Sequence, residues 1–327
     1  LLLVDMRSPS VLLQNIPTTL KEPFSSDRTV LAAVRAAHCR MQRALTGLYP
    51  GSLILSLNAE VIYHRLVRKI VDLNGVPAEP TVPRVLGPKM CVPFGKILRG
   101  NAIPNTVTKT IHTDRVYSPD LSESTIEAFP NYASIPCQVR TIKSFDRPVI
   151  LVDDLMHPGV RIKALDPVLR QEGVDIQLVL VGILSGYGRD LMRVQGRRAE
   201  CEYFIPNLHY WVTESLLYPF IGGDSVAGRK QKERMLPSVN MILPYVYPGY
   251  FFDVTEQSIR GLSKTALENA MQILRALERE HQRVFSAALT IRRLGEALTQ
   301  PRLPDKGDCM NFDFSLPASS YLEEDLS

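Results

Sequence analysis

The chain has 327 residues, 45% of them hydrophobic, which is enough to bury one large core or two ordinary ones and argues against a disordered chain. Its 38 basic and 34 acidic residues leave a formal charge of +4, with positive charge spread along the chain and not gathered into a stripe that would hold nucleic acid. Five scattered cysteines without a CxxC pair exclude a zinc framework and a dense disulfide scaffold, and no apolar run nears the roughly 20 residues that span a bilayer.

These features fit a reducing, cytoplasmic compartment, with neither nucleic acid nor membrane as partner. The opening LLLVDMRSPS has no signal-peptide pattern and no initiator methionine, so the chain reads as a fragment or as the downstream part of a longer protein.

The first helix is expected from about Arg28 to Leu45, where Val30, Leu31, Val34, His38, Met41 and Leu45 recur near helical spacing. SLILSL then reads as a buried strand. A second helix over Ala59 to Leu73 aligns Ile62, Leu66, Ile70 and Leu73, and Asn74-Gly75 supplies a left-handed stop.

After a proline-rich connection, KMCVPFGKIL reads as a strand with Pro93 at a bulge or an edge. From Asn101 to about Ser144 the composition turns polar, and a stretch of this length predicts a functional lid or an insert. PVILVDD restores a strand, Val160 to Glu172 a helix closed by Gly173, and DIQLVLVGIL and ECEYFIP two further strands.

Beyond Leu217 the run containing Arg229, Lys230, Lys232 and Arg234 reads as a solvated surface loop. A long helix is expected to start at Ser263 or Thr265. Its seam of Leu267, Ala270, Leu274, Leu277, His281, Val284, Ala288, Ile291 and Leu298 repeats near 3.5 residues and suits an oligomer contact through residues 265–298.

Strands alternating with helices predict an α/β fold, a mostly parallel twisted sheet with flanking helices and a helical C-terminal extension. The expected divisions are an N-terminal strand and helix segment (1–49), a core (50–225), an extension with the long helix (226–299) and a poorly ordered tail (300–327).

The chemistry centres on PVILVDDLMHPGVRIK, Pro148 to Lys163. Two acids after a buried strand are costly unless they meet solvent, a cation or a hydroxyl-bearing ligand. A wet strand end satisfies that condition with no function. A glycine-containing turn that opens a helix, however, aims N–H groups and the positive helix end at one spot suited to an anion.

This segment resembles the signature of type I phosphoribosyltransferases: a hydrophobic strand, two acids, and a short loop opening a helix. The likeness in the order of elements covers roughly residues 50–207. It implies a phosphoribosyltransferase-like protein of nucleotide-type metabolism, an enzyme transferring or binding the phosphoribosyl group of phosphoribosyl pyrophosphate or a nucleotide, with magnesium as the expected ion.

By that resemblance Asp153 and Asp154 meet the ribose hydroxyls, and His157, Gly159, Val160 and Arg161 belong to the 5-phosphate loop. LILSLNAEV would be the first core strand and pyrophosphate loop, with Asn58, Ala59 and also Lys96 as contacts. Residues 105–132 would be a long flexible catalytic loop carrying Lys109, His112 and Arg115. Trp211 is either an acceptor-stacking aromatic or a core filler.

The family's loop threonines and serines are replaced here by His157, Pro158 and Arg161, and Pro158 has no N–H to donate. Arg161 directed into the pocket would keep a phosphate site with altered geometry, whereas Arg161 directed to solvent would mark a lost one. Two alternatives to a transferase therefore stand: an inactive nucleotide- or phosphoribosyl-sensing module, and the assembly domain of a larger enzyme.

Overall fold

The computed structural model describes residues 5–98, 100–229, 231, 235–248, 254–306 and 312–327. Lys230, Lys232, Arg234 and Cys309 lie outside them.

In chain order the main elements are β1 (Asp5–Gln14), α1 (Arg28–Leu48), β2 (Ser52–Asn58), α2 (Ala59–Asn74), β3 (Met90–Pro93), β4 (Val107–Thr108), β5 (Thr113–Tyr117) and β6 (Ser124–Ala128). There follow α3 (Ile135–Lys143), β7 (Val149–Met156), α4 (Val160–Gln171), β8 (Ile176–Ser185), α5 (Gly186–Val194), β9 (Ala199–Ile205) and β10 (Trp211–Thr213). Last come β11 (Ser225–Val226), β12 (Leu236–Ser238), α6 (Glu256–Phe285), α7 (Leu294–Ala297), β13 (Arg302–Pro304) and α8 (Ala318–Leu326). The chain is thus α/β with mostly parallel sheets and a helical C-terminal part. No described helix is long and apolar enough to cross a membrane.

The chain divides into two compact units, one of residues 1–58, 116–124 and 209–327 and the other of residues 59–115 and 125–208. This differs from the expected continuous core over 50–225. β2 pairs in parallel with β1, and β1 pairs with β10, so the strand expected to begin the core sheet belongs to a separate three-stranded sheet.

In the first unit, α1 begins where Asp27 accepts the N–H groups of Thr29 and Val30 at 2.8 and 3.0 Å. Its buried stripe of Val30, Val34, Ala37, Met41 and Leu45 packs on α6. The long helix starts earlier than expected because Thr255 caps it, its side chain accepting from the Ser258 N–H. It ends at Ser286, which adopts φ 51°.

The seam residues Leu267, Ala270, Leu274, Leu277 and His281 are buried, with α1 and α8 packed against α6 inside the chain. Val284, near the end of the helix, is exposed, and Ala288, Ile291 and Leu298 fall beyond the helix. The tail expected to be poorly ordered instead holds β13 and α8, and Ala318 and Leu322 of α8 are fully buried.

In the second unit all strands of a five-stranded sheet run parallel in the order β4-β3-β7-β8-β9. One face packs Val92, Leu151 and Val181 against Val139 and Ile142 of α3 and Ile162, Leu165 and Leu169 of α4. On the other side α2 lies against β8 and β9. With apolar cover on both sides, β8 reads as a nearly continuous hydrophobic run. The topology sets the carboxyl ends of β3 and β7 side by side, the place where parallel α/β sheets bind ligands.

Candidate functional site at the ends of β3 and β7

Asp153 and Asp154 lie within β7, which continues to Met156, and not beyond its end. Asp153 pairs in register with Val181 of β8 and is 3% exposed. Its carboxylate accepts from Arg161 Nη1 at 2.5 Å and from the Asp154 N–H at 2.9 Å.

The Asp154 carboxylate turns to the loop after β3. Lys96 N–H donates to its Oδ2 at 2.5 Å and Ile97 N–H to its Oδ1 at 2.7 Å. Gly95 makes this possible: a Cβ there would overlap Asp154 Oδ1 and stand 2.7 Å from Asp153 Oδ1. The absence of a side chain lets the β3 loop close onto both acids.

The turn after β7 runs through His157 and Pro158 to Gly159, which adopts φ 67° and ψ 31° as the residue before α4. This left-handed conformation is accessible to glycine at no steric cost. It delivers Val160 and Arg161 as the first residues of α4, and Arg161 reaches back across the turn to Asp153. Two carboxylates, one guanidinium and the N–H groups of a loop thus converge on one place.

Burial, helped by the neighbouring Asp154, pushes the Asp153 carboxyl up to about 6 against the downward pull of the Arg161 cation. Desolvation outweighs the ion pair. His157 is half-buried, with Nδ1 lacking a hydrogen-bond partner, and its ring meets the exposed Tyr187 edge-on at 5.5 Å. Burial lowers its pKa, which favours the neutral ring.

Of the residues expected at the site, the structure brings together Asp153, Asp154, Gly159, Arg161 and the backbone of Lys96, with His157 and Val160 in the same turn. Asn58 pairs with Gln14 of β1, and Ala59 is a fully buried first residue of α2. The loop that contacts the acids is instead Gly95–Ile97, after β3. Gly95 and Ile97 are the contributors that sequence reasoning missed. The signal was the glycine in PFGKI just past a buried strand.

Residues 105–132, expected as a long flexible loop, contain β4, β5 and β6. Ser118 N–H donates to the Glu123 carbonyl in the turn between β5 and β6. His112 is clamped by Gln138, which accepts from its N–H at 2.7 Å and donates to its carbonyl at 3.2 Å, and its ring stacks on Tyr132 at 3.9 Å. Arg115 N–H donates to Asp114, and Lys109 is exposed beside β4. Trp211 is half-buried in β10, paired with Val11 in the other unit.

Among the described residues no group of three or more His, Cys, Asp or Glu side chains could hold a metal ion. The chain matches no protein-family model, and comparison with curated proteins found no relative.

Proposed function

We propose that the second unit binds a phosphoribosyl compound at the ends of β3 and β7, with phosphoribosyl pyrophosphate as the first candidate. The single observation that carries this reading is the meeting of Asp153 and Arg161 beside Asp154 and the Gly95–Ile97 loop. A sugar phosphate offers what each half of that pair lacks in the other's absence: hydroxyl donors for the carboxylates and an anion for the guanidinium.

In this reading Arg161 is a latch. On binding it leaves Asp153 for the 5-phosphate at the start of α4, where the helix end adds favourable potential. Asp153 then accepts ribose hydroxyls. Two carboxylates alone do not make a protein cage for magnesium, so the ion would travel on the ligand's pyrophosphate oxygens and neutralise their charge.

A transferase of the family that the sequence resembles is the natural extension, with phosphoribosyl transfer to a nitrogen acceptor as the reaction class. A second reading, a binding module without transfer, is favoured by one feature. Both aspartates are satisfied within the chain, by Arg161 and by backbone N–H groups.

Pyrophosphate release from phosphoribosyl pyrophosphate and magnesium, measured with a panel of nucleobases, separates the two. Base-dependent release supports the transferase, and saturable binding without release supports the module. No binding removes the proposed function in both forms.

A further inference from the structure

Away from Asp153, the open edge of the five-stranded sheet carries a second candidate site. A groove of about 420 Å³ runs along β4, lined by Arg84, Leu86, Asn101, Thr108, Lys109 and Thr110 among others, with no aspartate or glutamate among its lining residues. None of the residues that meet at the Asp153 site lines it. Its volume suits a small ligand.

The walls are held by buried polar groups. Asn105, 1% exposed and at φ 50°, donates from Nδ2 to the carbonyls of Pro77 and Glu79 at 2.9 and 2.8 Å, and its carbonyl accepts the Gly87 N–H. Asn74, also buried, donates to the Lys89 carbonyl and to Thr106 Oγ1 and accepts the Lys89 N–H. The Pro77–Pro88 connection is proline-rich and has no regular structure, yet two side-chain amides fix it beside β4. It carries Arg84 and Leu86 there.

No ion pair with a described residue engages Arg84 or Lys109. Two cations sharing one groove with no carboxylate repel each other, and an anion between them relieves that repulsion. Thr108 and Thr110 add hydroxyls, while Leu86 and Ala102 supply a short apolar stretch.

We propose that this groove binds a small phosphate ester, its phosphate between Arg84 and Lys109 and its organic part against Leu86. Lys109, expected from the sequence on a catalytic loop, serves this second site. The proposal is independent of the function assigned to the Asp153 site.

The test is calorimetric titration of the intact chain with phenyl phosphate, run on wild type, Arg84→Glu/Lys109→Glu, Arg84→Gln/Lys109→Met and Arg161→Ala, with circular dichroism confirming the fold of each. Wild type should bind saturably and more weakly at raised salt. Both double variants should weaken, at least about tenfold and the charge reversal more, a saturable binding event that Arg161→Ala, altered only at the other site, still shows.

Absence of saturable binding to wild type, or binding unchanged in the folded double variants, overturns the groove. Loss confined to Arg161→Ala also overturns it, by assigning the phosphate to the Asp153 site.

Discussion

Arg161 and Asp153, eight positions apart in the chain, meet at 2.5 Å across the turn that Gly159 makes possible. The guanidinium therefore points to a buried carboxylate and not to solvent. Its charge opposes that of the acid it meets.

The burial of Asp153, which outweighs its pairing with Arg161, sets a pH dependence. Between the ordinary carboxylate range and about 6, folded Asp153 holds a proton that the unfolded chain has released, so rising pH costs stability over that window. Asp153→Asn, which is neutral throughout, should be about as stable as wild type near pH 4. Above pH 6 it should gain on wild type by up to roughly 3 kcal/mol, the linkage equivalent of that shift. Urea unfolding across pH checks this, and a constant difference would remove the raised carboxyl.

Gly95→Ala should disturb the site through packing alone. A methyl there overlaps the Asp154 carboxylate, so either the β3 loop or the acid must move. Overpacking of this kind costs about 1–3 kcal/mol. Amide exchange at Lys96 and Ile97 should quicken in the variant, because their N–H groups lose Asp154 as acceptor.

In the first unit, Glu214 is wholly buried, paired with His38 and accepting from Tyr218 Oη at 2.7 Å; Asn269 donates to the same Tyr218 oxygen at 3.0 Å. Removing one member of such a pair strands the others. Glu214→Ala should cost about 3–5 kcal/mol in urea unfolding. A double-mutant cycle with His38→Ala should show coupling, and additivity would show that the pair contributes nothing beyond packing.

Much of this organisation was legible locally. The apolar spacing of α1 and α2, the buried runs of β7 and β8, and the glycines ending α2 and α4 each follow from one segment's own chemistry. What long-range pairing decides was not legible. SLILSL has the composition of a core strand whichever sheet it joins, and only β1 and β10 settle that it joins theirs.

The two-unit division was hidden because the chain leaves the first unit at residue 58, revisits it over 116–124 and returns at 209. Polarity over 105–132 reads as a lid, but Gln138, 26 positions after His112, clamps it. At the site, the acids and Gly159 stood out in the sequence. The β3 loop did not, because its contribution is N–H groups that every residue but proline owns.

The most direct test of the proposed site is a side-by-side titration of wild type and Arg161→Ala with phosphoribosyl pyrophosphate and magnesium. Saturable binding to wild type, weakened at least about tenfold in the folded variant, is the predicted result. Equal affinity in both proteins, or no binding to wild type, would contradict it.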